Sequence, residues 1–319
     1  MTGSQLLSAD ILQLRGPKND VSPQIPYAFS CEPERSHAGN IVDVATVFLT
    51  NRECPFQCLM CDLWKNTLDA SVPVGAIPRQ IEYAIERLPT ASHIKLYNSG
   101  NFFDPQAIPP SDFPDIAAAC STFSHVIVET HPKLCGQRVF QFQDLLSGTL
   151  EVAIGLETAD PDLLAKLNKQ MTLSDFATAT ESLCDRDILV RAFILLKPPF
   201  TSEQQAVELA IRSVEFALDC GVDCCVVIPT RRGNGAIDYL EQRGDFRPPS
   251  LRSLEWVADS LLPRYQGRVF VDLWDAGQFA TCRSCATQRI ARLHQMNLTQ
   301  QTAQPVICDC DNQPLPWRN

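Results

Sequence analysis

Apolar residues in this chain fall into short runs that would be buried on both faces, separated by stretches with helical spacing. Residues 41–50, Ile-Val-Asp-Val-Ala-Thr-Val-Phe-Leu-Thr, read as a first strand of the parallel, doubly covered kind. Residues 93–100 read as a second strand ending in the small-residue turn Asn98-Ser99-Gly100. Residues 125–129, 150–157, 190–196 and 222–229 give four more. Between them, Ile77, Ile81, Ala84, Ile85 and Leu88 repeat at helical spacing over 78–88. Further helices are predicted at 114–120, 162–168, 172–184 and 202–220, the third opening on the capping-box-like Thr172-Leu-Ser-Asp175. This alternation predicts an α/β fold, a parallel sheet built from right-handed crossovers. Six units closed part-way make a partial (β/α)6 TIM-like barrel, with ligands at the carboxyl ends of its strands.

The flanks have a different texture. Residues 1–40 carry Pro17, Pro23, Pro26 and Pro33 without sustained periodicity, and read as an N-terminal extension with one short helix around 4–14. Residues 41–250 form the expected barrel. From about Leu251 the strand–helix rhythm weakens, so 251–319 reads as a small, Cys-rich C-terminal extension, with a helical stretch at 286–298.

Composition narrows the function classes. At 319 residues, 45% hydrophobic and 20% charged, the chain can bury one large core. No apolar run approaches the roughly 18 residues of a membrane span. The first residues lack a basic n-region, so the cytoplasm is the expected location and no membrane partner is expected. A net charge of −10 disfavours indiscriminate polyanion binding, although a local basic groove remains compatible with it. Fourteen cysteines without a secretory signal argue for metal or redox chemistry rather than a disulfide framework.

The cysteines also locate that chemistry. Cys54-Pro-Phe-Gln-Cys58-Leu-Met-Cys61 follows directly on the first strand. Three thiols at this spacing can wrap one side of a cubane iron–sulfur cluster, which needs four ligands to close all its irons. With three, one iron keeps an open position where a reagent can bind. The alternatives are three buried cysteines or part of a zinc knuckle. A knuckle would bring its second pair nearby, and this loop runs instead into a helical pattern. The spacing, with Phe56 before the second cysteine, resembles the radical S-adenosylmethionine (radical SAM) superfamily.

That resemblance implies a [4Fe-4S] cluster on Cys54, Cys58 and Cys61, with S-adenosylmethionine chelated at the free iron. It implies an enzyme of lyase or oxidoreductase type, in which reductive cleavage of the cofactor yields a 5′-deoxyadenosyl radical that takes a hydrogen atom from substrate. It further implies an external electron donor of flavodoxin or ferredoxin type. Asn98, Ser99 and Gly100 stand where such enzymes place a turn that binds the cofactor's amine. Glu157, in Ile-Gly-Leu-Glu-Thr, could accept from ribose hydroxyls or be salt-bridged to Arg191 on the next strand, or both. Lys197, before Pro198, could meet the cofactor carboxylate or the substrate, or be simply solvated.

Four further segments carry a narrower resemblance: Tyr97-Asn-Ser-Gly-Asn-Phe-Phe-Asp104, Leu167-Asn-Lys169, Leu195-Leu-Lys-Pro-Pro-Phe200 and Phe246-Arg-Pro-Pro-Ser-Leu251. They are similar to the family holding the radical SAM subunit of archaeosine synthase. That family implies a 7-deazaguanine-type nucleoside in tRNA as substrate, and a partner enzyme that supplies it.

A second cysteine set remains. Cys282-Arg-Ser-Cys285 and Cys308-Asp-Cys310 make two close pairs, suited to structural zinc or to an auxiliary iron–sulfur cluster. Cys224 and Cys225 read as core, and His294 as helix surface. Three functions stay open: a tRNA-modifying radical enzyme, a radical enzyme on a small metabolite or peptide, and a non-enzymatic zinc protein. The first needs a basic rim, for which Lys166, Lys169, Arg231, Arg232, Arg243, Arg247 and Arg252 are the candidates.

Overall fold

The computed structural model describes residues 6–265 and 267–312. Eight strands form one sheet in sequential order: β1 (Ala28–Arg35), β2 (Ile41–Phe48), β3 (His93–Tyr97), β4 (His125–Thr130), β5 (Thr149–Glu157), β6 (Leu189–Leu196), β7 (Cys224–Pro229) and β8 (Arg268–Val271). All neighbours from β2 to β8 pair in parallel, and β1 pairs antiparallel with β2. The six strands read from periodicity are β2–β7, and the curled, part-closed α/β barrel expected from them is the fold observed.

The helices are α1 (Ser8–Gln13), α2 (Ala76–Ile85), α3 (Phe113–Ala119), α4 (Gln137–Gln143), α5 (Pro161–Lys166), α6 (Leu173–Cys184), α7 (Glu203–Asp219), α8 (Ala236–Gln242), α9 (Leu251–Leu261) and α10 (Arg283–Thr299). Helix α6 opens on the reciprocal capping box that its sequence predicts: Thr172 Oγ1 accepts from Asp175 N–H at 3.1 Å, and Asp175 Oδ2 from Thr172 N–H at 2.7 Å. Apolar side chains from β2 through α10 make one continuous core, including Val47, Leu96, Val128, Ile154, Ile194, Val227 and Met296.

Both flanks depart from their expected simplicity. The N-terminal segment contributes α1, whose predicted beginning at Ser4 lies outside the described residues, and then β1, which was not predicted. Strand β1 alternates weakly because much of it sits at an edge, with Pro33 inside it. On the other flank β8 extends the sheet beyond residue 250. Four residues are too short to show a period, although all four are buried.

The amino half of the barrel interior holds an ionic network. Arg191 on β6 engages Glu151 on β5, and meets Glu34 on β1 at 2.8 Å. Glu151 also takes Arg268 of β8 at 2.7 Å and His125 of β4 at 3.0 Å, while Lys95 of β3 pairs with Glu34. Strands β1 and β6 are not sheet neighbours, so the Glu34–Arg191 pair spans the interior. Burial pushes the Glu34 carboxyl up, but Arg191 and Lys95 outweigh it and hold it down at about 2. Arg191 therefore belongs to this network and makes no salt bridge to Glu157. Three residues of β5 and a register shift separate Glu157 from the level at which Arg191 pairs.

Candidate functional site at the carboxyl ends of the strands

The cysteine loop leaves β2 and is gripped from several sides. Leu59 N–H donates to the Leu167 carbonyl at 2.9 Å, and Asn168 Nδ2 donates to the Gln57 carbonyl at 2.6 Å. Asn234 Nδ2 reaches the carbonyls of Leu59 (2.7 Å) and Cys61 (3.2 Å). The N-terminal segment lies over the same loop: Arg15 pairs with Glu53 and stands 4.9 Å over the Trp64 ring. Leu59 packs with Ile11, Leu163, Leu167 and Ile237 in a second apolar cluster. These clamps were not legible in the sequence, because each joins residues far apart in the chain.

Cys58 is buried, and Cys54 and Cys61 are partly so. Burial pushes the Cys54 and Cys58 thiols up to about 11 and the Cys61 thiol to about 12. A bound metal reverses such a shift, since a coordinating thiol is deprotonated. One cation is in place to help. Lys169 is buried and ion-paired with Glu157 at 2.7 Å. Burial pulls its ammonium down, but Glu157 and the Cys58 thiol outweigh that and hold it above its ordinary value. Lys169 is thus an interior residue, not part of a solvated rim. Gly155 makes room for the pair. A Cβ there would stand within 2.4 Å of both Glu157 Oε1 and Lys169 Nζ.

The turn at 98–100 abuts the cysteines. A Cβ on Gly100 would come within 3.0 Å of Cys54 Cβ, so this turn touches the loop directly. Asn101 Nδ2 donates to Cys54 Sγ at 3.0 Å, and its Oδ1 accepts from His131 N–H at 2.6 Å. His131 stacks on Phe56 with centroids 3.8 Å apart, and burial pushes its imidazole down to about 3, so the ring is neutral. Glu129, at the end of β4, accepts from Asn98 N–H at 2.7 Å and Gly100 N–H at 3.4 Å. Burial raises its carboxyl to about 7 against those amides. Glu129 fixes the turn, a role that its place at a strand end signals only once the neighbouring strand is known.

The site is also where the backbone is strained. Ser99, Glu157 and Lys197 have φ of 54°, 66° and 59°, the left-handed region that costs a non-glycine residue on the order of 1 kcal/mol or more. Each lies at the carboxyl end of a different strand. Polar atoms without partners gather at the same end. The Asn98 amide is wholly buried with both its Oδ1 and Nδ2 unpaired, and Thr50 Oγ1, Asn51 Oδ1 and Thr130 Oγ1 are buried without a partner. Such groups cost folding free energy unless something meets them, so their concentration beside the cysteines makes this end of the barrel the candidate ligand site. Lys197 is buried too, its Nζ 3.3 Å from the Thr201 carbonyl, and burial lowers its ammonium.

The second cysteine set is brought together at the start of α10. The sulfurs of Cys282, Cys285, Cys308 and Cys310 all lie within 4.8 Å of one another. No other group of three or more Cys, His, Asp or Glu side chains does so among the described residues. Cys54, Cys58 and Cys61 are therefore more widely spread. That suits the separate corners of a cubane, whose irons stand between the thiolates. Cys224 and Cys225 are core, and His294 is exposed on α10, as expected.

Of the proposed basic rim, Arg231 pairs with Asp272 at 2.7 Å, Arg232 with Glu241 and Arg243 with Asp245 at 3.4 Å. No described helix is long and apolar enough to cross a membrane.

No protein-family profile matches the chain. It is 26% identical to archaeosine synthase subunit beta of Methanosarcina acetivorans over 82% of its length and 79% of that protein's. Archaeosine synthase subunit beta of Thermococcus kodakarensis is also 26% identical, over 61% of this chain and 63% of that one. Among solved structures, Elp3 of Methanocaldococcus infernus superposes with a TM-score of 0.52 at 16% identity, covering 69% of this chain and 59% of Elp3. SuiB of Streptococcus suis, solved with its precursor peptide SuiA, gives a TM-score of 0.51 at 14% identity, covering 70% of this chain and 47% of SuiB. The fold is the part-closed barrel of the radical SAM enzymes, and the chain is similar to archaeosine synthase subunit beta.

Proposed function

We propose that the carboxyl end of this barrel is a radical SAM active site and that its substrate is a 7-deazaguanine-type nucleoside in tRNA. Cys54, Cys58 and Cys61 would hold three irons of a [4Fe-4S] cluster and leave the fourth open for S-adenosylmethionine. When bound, that pair supplies a one-electron cleavage that generates a hydrogen-abstracting carbon radical. The observation that carries the reading is Asn98. It is a buried amide with neither atom partnered, in a turn whose Gly100 packs on Cys54. Its Oδ1 suits an ammonium donor, and Glu129 holds the turn in place.

Lys169 offsets negative charge on the buried thiolates and orients Glu157 through one oxygen, leaving the other to accept from ribose hydroxyls. Lys197 offers a buried cation to a carboxylate, from the cofactor or the substrate. The clamps from Asn234 and Asn168 hold the loop backbone, and the overlying N-terminal segment shields it from water. The relatives named archaeosine synthase subunit beta support tRNA as the substrate. A second reading, a peptide or small metabolite, is favoured by the acid partners of Arg231, Arg232 and Arg243, which leave less free positive charge for phosphates.

Anaerobic reconstitution with iron and sulfide, then assay of 5′-deoxyadenosine with and without tRNA carrying the modified base, tests both levels. Cleavage that tRNA stimulates is expected. Cleavage indifferent to tRNA, with no tRNA binding at low salt, would sink the substrate. An uncoloured protein that never cleaves the cofactor would sink the radical chemistry itself.

A further inference from the structure

We infer that Cys282, Cys285, Cys308 and Cys310 hold one tetrahedral zinc ion, and that this ion fastens the chain's end to the start of α10, keeping that helix in the gap of the barrel. The sulfur separations choose between one ion and a cluster. A metal with four thiolates at about 2.3 Å places its sulfurs about 3.8 Å apart. Cys282 Sγ lies 3.9 Å from Cys308 Sγ, and Cys285 Sγ lies 3.7 Å from Cys310 Sγ. A cubane would interpose several irons and spread the four well beyond this. Four protein ligands close the coordination, which is the arrangement of a structural site rather than a reactive one.

The surroundings fit a tetrathiolate with excess negative charge. Arg289 Nε donates to Cys285 Sγ at 3.1 Å, one of its terminal nitrogens lies 3.9 Å from Cys310 Sγ, and its other terminal nitrogen is held by Glu255 of α9. Outer contacts of this kind fix ligand orientation and damp thiolate reactivity.

The path of the chain shows what the ion would fasten. Helix α10 has 17 residues, about 26 Å at 1.5 Å each. It ends at Gln300 with φ of 54°, and the chain turns back. Eight residues from Gln300 to Cys308, extended, reach about the same distance, which returns the second cysteine pair to the first. Along the way no described helix or strand spans residues 301–308, and Ile307 is 94% exposed. Arg292 alone supplies several bonds to this run, donating to the Ala303 carbonyl at 2.8 Å and the Gln304 carbonyl at 2.9 Å. A metal closing this loop would supply the order that packing does not.

The helix so fastened covers the open edge of the sheet. Among the described residues no strand follows β8 in the sheet order, and two α10-end side chains pair with β8 as a strand would. Val269 N–H donates to Gln300 Oε1 at 2.7 Å and Val271 N–H to Asn297 Oδ1 at 3.0 Å, while both amide groups donate back to the same residues' carbonyls. On the opposite edge, Arg35 of β1 donates to the Leu298 carbonyl at 3.4 Å. One helix end thus touches both edges of the part-closed barrel, and covering an exposed edge is how sheets avoid open pairing.

The proposal is independent of the radical chemistry, and metal counting on the whole chain separates the two. Protein purified under argon should carry one zinc per chain whether or not iron has been restored. Cys285→Ser and Cys310→Ser should each lose that zinc and still take up iron on the 54–61 loop. Wild-type protein exchanged with cobalt(II) should show the visible bands of a tetrahedral tetrathiolate, a readout that survives if the variants fold poorly. Removing zinc from wild type should speed amide exchange at Val269 and Val271 at least tenfold while Val47 and Val152 stay protected. Loss of iron instead of zinc in the variants would overturn the single-ion assignment, as would a metal-free wild type with these cysteines oxidised in pairs. Unchanged exchange at Val269 and Val271 after zinc removal would overturn the fastening role.

Discussion

The two ends of this barrel bury polar groups to opposite purposes. At the amino end, Glu34 and Glu151 each meet at least two cations, and the network ties β1 to β6 across the interior. At the carboxyl end, Asn98, Thr50, Asn51 and Thr130 keep buried polar atoms with no partner, and three strand-end residues hold left-handed backbone. The same sheet therefore pairs its charges where it needs only to stand, although Arg268 Nε is left without a partner there, and it gathers more open hydrogen-bonding capacity where a ligand would bind. A buried group without a partner inside the protein is costly, so it persists where a ligand completes it.

Four substitutions test this contrast, from the largest effect down. Cys58→Ala should abolish iron retention and cofactor cleavage, measured by iron count and 5′-deoxyadenosine release, while the amino-end network keeps the fold. Residual cleavage near the wild-type level would remove the carboxyl end from the chemistry. Glu151→Ala should cost about 3–5 kcal/mol in urea unfolding of the apo protein, because it strands Arg268 in the interior and leaves Arg191 with Glu34 alone, a carboxylate that Lys95 already shares. A loss under about 1 kcal/mol would mean that the amino end is no keystone.

Glu34→Gln should act through pH. The Glu34 carboxyl is held at about 2 in the fold against an ordinary value of 4.5. Its ionised form is the stabilised one, so this contribution is present above pH 4.5 and fades as pH falls toward 2. Wild type should lose on the order of 2 kcal/mol across that window through this group, and the Gln variant should show a shallower slope. Equal slopes would contradict the pairing. Asn98→Ala should raise the KM for S-adenosylmethionine about tenfold, equivalent to about 1.4 kcal/mol. Its unfolding free energy should fall little or rise, since the amide has no partner in the protein to lose. Marked destabilisation with an unchanged KM would make Asn98 a structural residue and blur the contrast between the ends.

Much of the scaffold could be read from periodicity. Strands β2–β7 announce themselves by apolar runs, and α6 by Thr172 and Asp175, because those signals are local. Strand β1 did not, since an edge strand containing Pro33 buries too little to alternate, and β8 is shorter than any useful window. The site was legible in part. Cys54, Cys58 and Cys61 declare themselves by spacing, and the turn at 98–100 by its place after a strand. Glu129 declares itself only by its place at a strand end, and its role, like those of Lys169 and Asn234, is not legible, since each acts on a segment at least 12 residues away. Arg191 shows the limit of adjacency. It lies on the strand beside Glu157, yet its level in the barrel gives it to Glu151 and Glu34.

The sequence by itself determined the alternation of strand and helix, the cysteine spacing and the four-thiol pattern near the end, all of which depend on residues within a few positions of one another. Tertiary structure alone decided which charges meet. It set Lys169 on Glu157, left Asn98 without a partner, and brought Cys308 and Cys310 back beside Cys282 and Cys285. Pairing across a barrel depends on strand register and on which neighbour faces inward, and neither is written in any one stretch of chain.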